Sequence, residues 1–277
     1  MRRALLIIFL CLLPLSVQAE QNVPLPETPA NYLTPSKPLT PREIEHRVLD
    51  EIASDSVSLH RLNYSIIGDK DAKLQFSFKF RLAEKLPLYF AYSNLALWDI
   101  FETSSPFDDI NFIPEFFYRF QGNNRWLIST DAGYIHTSNG KDGDLSRSWD
   151  RLVLRINTAF TPGPMHLVWV TALYSPLTTG DENDDIDQYL GYWETYIFLR
   201  GLLGHSSENL DIELSMQSGR DSIPFDRGNV TVGLKYRLPT SNFNPYLYAQ
   251  YFYGYGETLL RYNQKESQFR AGLAFFY

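Results

Sequence analysis

A chain of 277 residues, 44% hydrophobic, 15% aromatic and 21% charged with a formal net charge of −7, carries no apolar run of 18 residues beyond its N-terminus. That excludes a helical membrane protein. The acidic balance argues against nucleic acid, whose phosphates call for clustered lysine and arginine. The 19 Phe, 18 Tyr and 5 Trp exceed what an ordinary soluble domain requires.

Residues 1–19 read as a secretory signal peptide: Arg2-Arg3, an apolar run from Ala4 to Leu15, and Val17-Gln18-Ala19 before the cleavage point. Cleavage removes Arg2, Arg3 and the only cysteine, Cys11, so disulfides and thiol chemistry are not expected. Ile8-Phe9-Leu10 lacks the small residues of a lipidation site. Residues 20–55 form a periplasmic N-terminal segment. Its first part, with Pro24, Pro26, Pro29, Pro35, Pro38 and Pro41, suits an extended tail. Ile44, Val48, Leu49 and Ile52 are spaced for a short amphipathic helix over 42–53.

Over 56–277 the hydrophobic period becomes two, the signature of strands with one apolar and one polar face. Leu74, Phe76, Phe78, Phe80 and Leu82 alternate with Gln75, Ser77, Lys79 and Arg81, and the pattern recurs to the C-terminus. A soluble sandwich also alternates. Three features favour an all-β, antiparallel transmembrane barrel instead. The segments are long enough for tilted membrane strands. Aromatics such as Tyr246, Tyr248, Phe252 and Tyr253 crowd segment ends, where interfacial girdles lie. The chain stops at Phe275-Phe276-Tyr277, which resembles the recognition end of bacterial outer-membrane barrels. Twelve strands are predicted, at 58–66, 73–83, 86–98, 111–121, 125–138, 149–161, 164–175, 187–202, 208–218, 228–239, 243–256 and 266–277. An even count puts both chain ends on the periplasmic side. Thr161-Pro162-Gly163-Pro164 then reads as a periplasmic turn, and acidic Thr178 to Asp187 as an external loop. Inward positions include Lys79, Glu115, Arg119, Arg151, Arg155 and Glu213, mixed charges that suit a lumen filled with hydrogen bonds better than an open pore.

One hairpin stands apart. His136 and Ser138 lie two residues apart, hence on one face of a strand, and the parity of Tyr134, Ala132 and Thr130 turns that face outward. On the next strand Asp150 shares parity with Leu152, Leu154 and Ile156 and also points outward. Three such residues match the chemistry of acyl transfer: Ser138 as nucleophile, His136 as base, Asp150 orienting the imidazole. The bland alternative is polar residues at headgroup level. Against it stands the cost of an ionisable cluster facing lipid. A site on the outer wall reaches only lipid or a neighbouring protein, which selects a lipid ester.

These residues resemble the outer-membrane phospholipase A family. His136-Thr137-Ser138-Asn139-Gly140 followed by Ser146-Arg147-Ser148-Trp149-Asp150-Arg151 looks like its HxSNG and SRSWxR signatures. Ser104-Ser105-Pro106-Phe107 resembles its SSPF segment, and Gly254-Tyr255-Gly256-Glu257 with Tyr262-Asn263 its late YGE and YN pattern, over roughly residues 55–277. The resemblance implies a twelve-stranded, multi-pass barrel of the bacterial outer membrane that hydrolyses phospholipid and lysophospholipid acyl esters, requires calcium (Ca2+) and acts as a homodimer. By motif position, Ser138 is the nucleophile, His136 the base, and the Gly140 N–H an oxyanion donor. Calcium is held by the Lys141 carbonyl, the Ser146 hydroxyl and the Ser104 carbonyl of the partner subunit. Phe107 and Phe112 line the acyl cleft, and Asn94 lies in the dimer seam. Asp142, Asp144 and Asp185 are candidates for a looser second cation site. One position departs from the family pattern: Asp150 stands where the pattern has Asn, adding a charge that calcium or Arg147 would offset. The rival reading is a non-catalytic barrel, transport or structural, in which His136 and Ser138 are incidental; another is a relative that is inactive or acts on a different acyl lipid.

Overall fold

The computed structural model describes residues 57–83, 85–122, 126–161, 165–201, 209–220, 226–238 and 245–275. The signal peptide, the proline-rich segment, the 42–53 helix, most of the 161–164 turn and the last two residues lie outside them. The period-two segments form twelve strands: β1 Asn63–Ile67, β2 Ala72–Ala83, β3 Leu86–Trp98, β4 Phe107–Gln121, β5 Leu127–Ser138, β6 Ser148–Phe160, β7 His166–Thr179, β8 Trp193–Arg200, β9 Leu210–Ser218, β10 Gly228–Arg237, β11 Tyr246–Gly254 and β12 Glu266–Phe275. Each pairs antiparallel with its sequence neighbours, and β1 pairs with β12 from Asn63–Phe275 to Ile67–Ala271, closing the sheet. Closure satisfies every strand edge, the condition for β-structure in hydrocarbon.

Alternation sorts the side chains. Phe76, Phe116, Leu152, Leu154, Leu173, Leu234 and Phe269 stand exposed on the outer wall, as expected of a surface built for acyl chains. The same strands send charge inward, where it is paired. Arg119 grips Asp131 through two hydrogen bonds, at 2.7 and 2.8 Å, and Arg155 donates to Glu115 at 2.8 Å. Arg270 bridges Asp71 and Glu257, and Lys73 reaches the same Glu257 at 3.1 Å. These groups are at most about 10% exposed. Buried charges persist only when paired and hydrogen-bonded, so the lumen is cross-braced, with a cavity of about 460 Å³ left among the braces.

Packed chain lies toward both ends of the lumen. Residues 58–62 were expected to begin the first strand, but β1 starts at Asn63. Ser58 still pairs antiparallel with Lys79 on the edge of β2, but residues 59–62 bulge from there toward the lumen, where Arg61 N–H donates to Ser77 Oγ and the His60 ring meets Glu115 at 2.9 Å. At the opposite end, Trp149, Ile186, Leu190, Leu259 and Tyr262 pack into an apolar roof. The acidic stretch expected to be a loop is one, folded as two single 3-10 turns at Asp181–Asn183 and Ile186–Gln188, so β8 begins only at Trp193.

Candidate active site on the outer wall

The register of three strands builds the site. On β5 and β6, His136 pairs directly with Asp150 and Ser138 with Ser148; on β6 and β7, Asp150 pairs with Thr178. Trp149 and Arg151 point inward and are buried, so Asp150 between them faces out, as the parity reading requires. His136 Nδ1 lies 2.8 Å from Asp150 Oδ1. A carboxylate accepts, so Nδ1 carries the proton and Nε2 is left free as a base. Ser138 sits on the same face two residues beyond His136. Among the described residues no hydrogen bond joins its hydroxyl to the ring; such contacts commonly tighten only with substrate bound.

Asp150 has two further donors that sequence reasoning did not identify. Tyr134 OH donates to Oδ1 and Thr178 Oγ1 to Oδ2, both at 2.5 Å. Tyr134 is diagonal to Asp150 across the β5–β6 pair, within reach of a long side chain. Thr178 arrives by a different route. Counting from Leu173 and Ser175, alternation would turn Thr178 inward and set Leu177 opposite Asp150. The β6–β7 register slips there: Arg151 pairs with Pro176 and Asp150 with Thr178, leaving Leu177 as a bulge. The proline has no N–H for the ladder, and such bulges re-aim side chains beside functional sites. Pro176 was the available sequence signal. Arg147, expected to offset the Asp150 charge, does not reach it: its Nη1 donates to the carbonyls of Asp144 and Ser146, and its guanidinium lies 6.0 Å from the Tyr262 ring centre.

The segment after Ser138 is shaped by Asn139. Its Oδ1 accepts the N–H groups of Lys141 and Arg147, its Nδ2 donates to the Leu145 carbonyl, and its own N–H donates to the Arg147 carbonyl. The same amide reaches Asp109 on the inner face of β4, which also accepts Leu260 N–H from the roof. Gly140 has φ +67°, and a Cβ there would meet the Phe112 ring at 3.1 Å. Phe112 is itself the β4 partner of Ser138. Phe112, Gly140 and Ser138 are thus brought together. Phe107 instead stacks on Trp98 at 5.5 Å between ring centres. Asn94 donates to the Asn111 carbonyl of its neighbouring strand.

The residues named for calcium offer neutral oxygens. Among the described residues, neither the Lys141 carbonyl nor the Ser146 hydroxyl accepts a hydrogen bond, and both border the turn fixed by Asn139. Uncharged oxygens left without donors suit a hard cation that keeps several waters. Ser104 is exposed with φ +69°, an unusual conformation for a non-glycine residue. The second acidic site is not assembled: no trio of acidic or histidine side chains converges among the described residues. Asp142 instead caps Gly143 N–H, and Asp185 accepts the Tyr262 hydroxyl.

A family model described as Phospholipase A1 matches residues 33–275. Phospholipase A1 of Escherichia coli (strain K12) is 31% identical over 192 residues, 66% of this chain; the match spans 60% of that relative's length. Among solved structures, outer membrane phospholipase A from Escherichia coli superposes with a TM-score of 0.71 at 23% identity, covering 82% of this chain and 96% of the other. A Salmonella typhi outer membrane phospholipase dimer with bound calcium gives a TM-score of 0.70 at 24% identity, covering 86% and 98%. At these identities the structural likeness is one of fold.

Proposed function

Because the chain belongs to the phospholipase A1 family, we propose that it hydrolyses acyl esters of phospholipids and lysophospholipids from the outer wall of a bacterial outer-membrane barrel. The observation that carries this reading is the hydrogen-bonded His136–Asp150 pair beside Ser138, on a face that meets acyl chains instead of water.

In the reaction, Ser138 Oγ attacks the ester carbonyl carbon while His136 Nε2 takes its proton, and Asp150 stabilises the imidazolium through Nδ1. The oxyanion forms beside the Gly140 N–H, whose positive φ turns the backbone after Ser138. Collapse breaks the ester bond; His136 returns the proton to the leaving alkoxide, releasing the lysolipid and leaving an acyl-serine. Water then attacks the acyl carbonyl, gives its proton to His136, and the fatty acid departs as Ser138 recovers the proton.

The Lys141 carbonyl and Ser146 hydroxyl would hold calcium with the Ser104 carbonyl of the partner subunit, supplying positive charge near the oxyanion. Pairing of two copies then completes the site, and a lone subunit stays idle. The apolar wall supports assembly within the membrane plane. The braced lumen, with His60 on Glu115 toward one end and the apolar cluster toward the other, fits a catalytic wall better than a conduit.

The test is hydrolysis of phosphatidylcholine in mixed micelles by the refolded barrel and its Ser138→Ala variant, with calcium or with chelator. Activity is expected only for the unsubstituted chain with calcium. Calcium-dependent activity retained by Ser138→Ala overturns the assigned nucleophile, and conductance without hydrolysis favours a transport barrel.

A further inference from the structure

An ionised carboxylate on a lipid-facing wall must be satisfied by donors or it will neutralise or turn away. Asp150 is satisfied on both oxygens. Oδ1 accepts from Tyr134 and His136, and Oδ2 accepts from Thr178. The three donors come from two strands: β5 for Tyr134 and His136, and β7, across the opposite side of β6, for Thr178. Asp150 is therefore fixed from both flanks, and its direction toward His136 Nδ1 is not left to its own rotamer. The bulge at Leu177 is the independent sign of a built arrangement, because regular pairing would offer Asp150 a leucine.

We propose that Tyr134 and Thr178 are positioning residues for the hydrolytic reaction, a hydroxyl clamp that holds the Asp150 carboxylate ionised and aimed at His136. The inference rests on the hydrolase reading and deepens it: the clamp lets this chain use an aspartate at the third triad position. Tyr134 spends its hydroxyl hydrogen on Oδ1 and Thr178 its own on Oδ2. Neither side chain needs to touch the ester. Their loss is expected in turnover, not in substrate capture.

The experiment compares kcat and KM for Tyr134→Phe, Thr178→Val and Thr178→Ser, each with Asp150 and again with Asp150→Asn, in calcium-loaded mixed micelles. Folding is checked by the mobility shift of unheated samples on electrophoresis. With Asp150 present, Tyr134→Phe and Thr178→Val are each expected to lower kcat about tenfold with KM nearly unchanged, the scale of losing a hydrogen bond to a charged acceptor. Thr178→Ser, which keeps the hydroxyl, restores turnover. In the Asp150→Asn background the same substitutions lower kcat only about twofold, since the acceptor is then neutral. Equal losses in the two backgrounds, or kcat unchanged in both Tyr134→Phe and Thr178→Val, overturn the clamp. Should Tyr134→Phe fail to fold, the Thr178 valine and serine pair decides by itself. Failure of the hydrolase reading shows differently, as an unsubstituted chain no more active than Ser138→Ala.

Discussion

The guanidinium of Arg151 lies 3.8 Å from the ring centre of Trp149. Its other flank meets Tyr174 at 4.5 Å, and its Nη2 donates to Thr137 Oγ1 at 3.2 Å. Thr137 is the inward residue between His136 and Ser138, and Trp149 immediately precedes Asp150. The strands that carry His136, Ser138 and Asp150 are thus joined from behind by one buried cation. Lysine keeps the charge but loses the planar face on which both ring contacts depend. Arg151→Lys is expected to cost about 2 kcal/mol, the upper scale of a desolvated cation–π contact, read as a lower urea midpoint for unfolding from detergent. An unchanged midpoint would show that the stack adds nothing to the join.

How much of this was legible follows from what period two can and cannot encode. His136 and Ser138 continue the alternation of Thr130, Ala132 and Tyr134, and Asp150 that of Leu152, Leu154 and Ile156, so their outward direction was readable, and the register then set His136 opposite Asp150. Thr178 was not, because a bulge reverses parity and only Pro176 hints at it. Alternation also misassigned residues 59–62. Ser58 does pair with the edge of β2, but the four residues after it bulge inward, where Arg61 N–H meets Ser77 Oγ. Loop chemistry was the least legible. Arg147 and Asp185 are one and six residues from their nearest strands, but the folded roof decides their partners, and both are drawn to Tyr262.

Asp150→Asn is expected to keep much of the activity, within about tenfold of the unsubstituted chain, because the amide oxygen still accepts from His136 Nδ1 while its NH2 can donate to Thr178. Asp150→Ala should fall further, having nothing to orient the ring. Both are measured as kcat at saturating calcium, with electrophoretic mobility confirming the barrel. Complete loss in Asp150→Asn with the barrel intact would contradict the role given to this position.

Gly140 is required for two separable reasons. Its φ of +67° is strained for any residue with a Cβ, by about 1 to 2 kcal/mol, and the added atom would press on Phe112 at 3.1 Å. Gly140→Ala is therefore expected to fold but to lose about 100-fold in kcat, the scale of removing an oxyanion donor. Adding Phe112→Ala relieves the contact but not the dihedral strain, so it should restore little. Full recovery in the double variant, measured by the same micelle assay, would assign the defect to crowding alone.

The pH dependence of the outer loops follows from Glu257. Burial would raise the pKa of its carboxyl, but Lys73 and Arg270 outweigh that and hold it below the usual carboxylate value. A carboxylate depressed in the folded state stabilises it in full above its unfolded pKa, and the contribution disappears as pH falls through the folded value. Glu257 ties the loop after β11 to β2 and β12 through Lys73 and Arg270. That loop also carries Leu259 and Tyr262 into the roof. The roof is accordingly expected to stay closed from neutral pH down to the ordinary carboxylate range and to loosen only below it, seen as faster amide exchange at Leu259 and Leu260. Glu257→Gln, which leaves Arg270 with Asp71 as its remaining carboxylate partner, should exchange faster at neutral pH and lose that acid-dependent step. A step that persists unchanged in the Gln variant would place the responsible carboxylate elsewhere, with Asp109, the acceptor of Leu260 N–H, as the next to substitute.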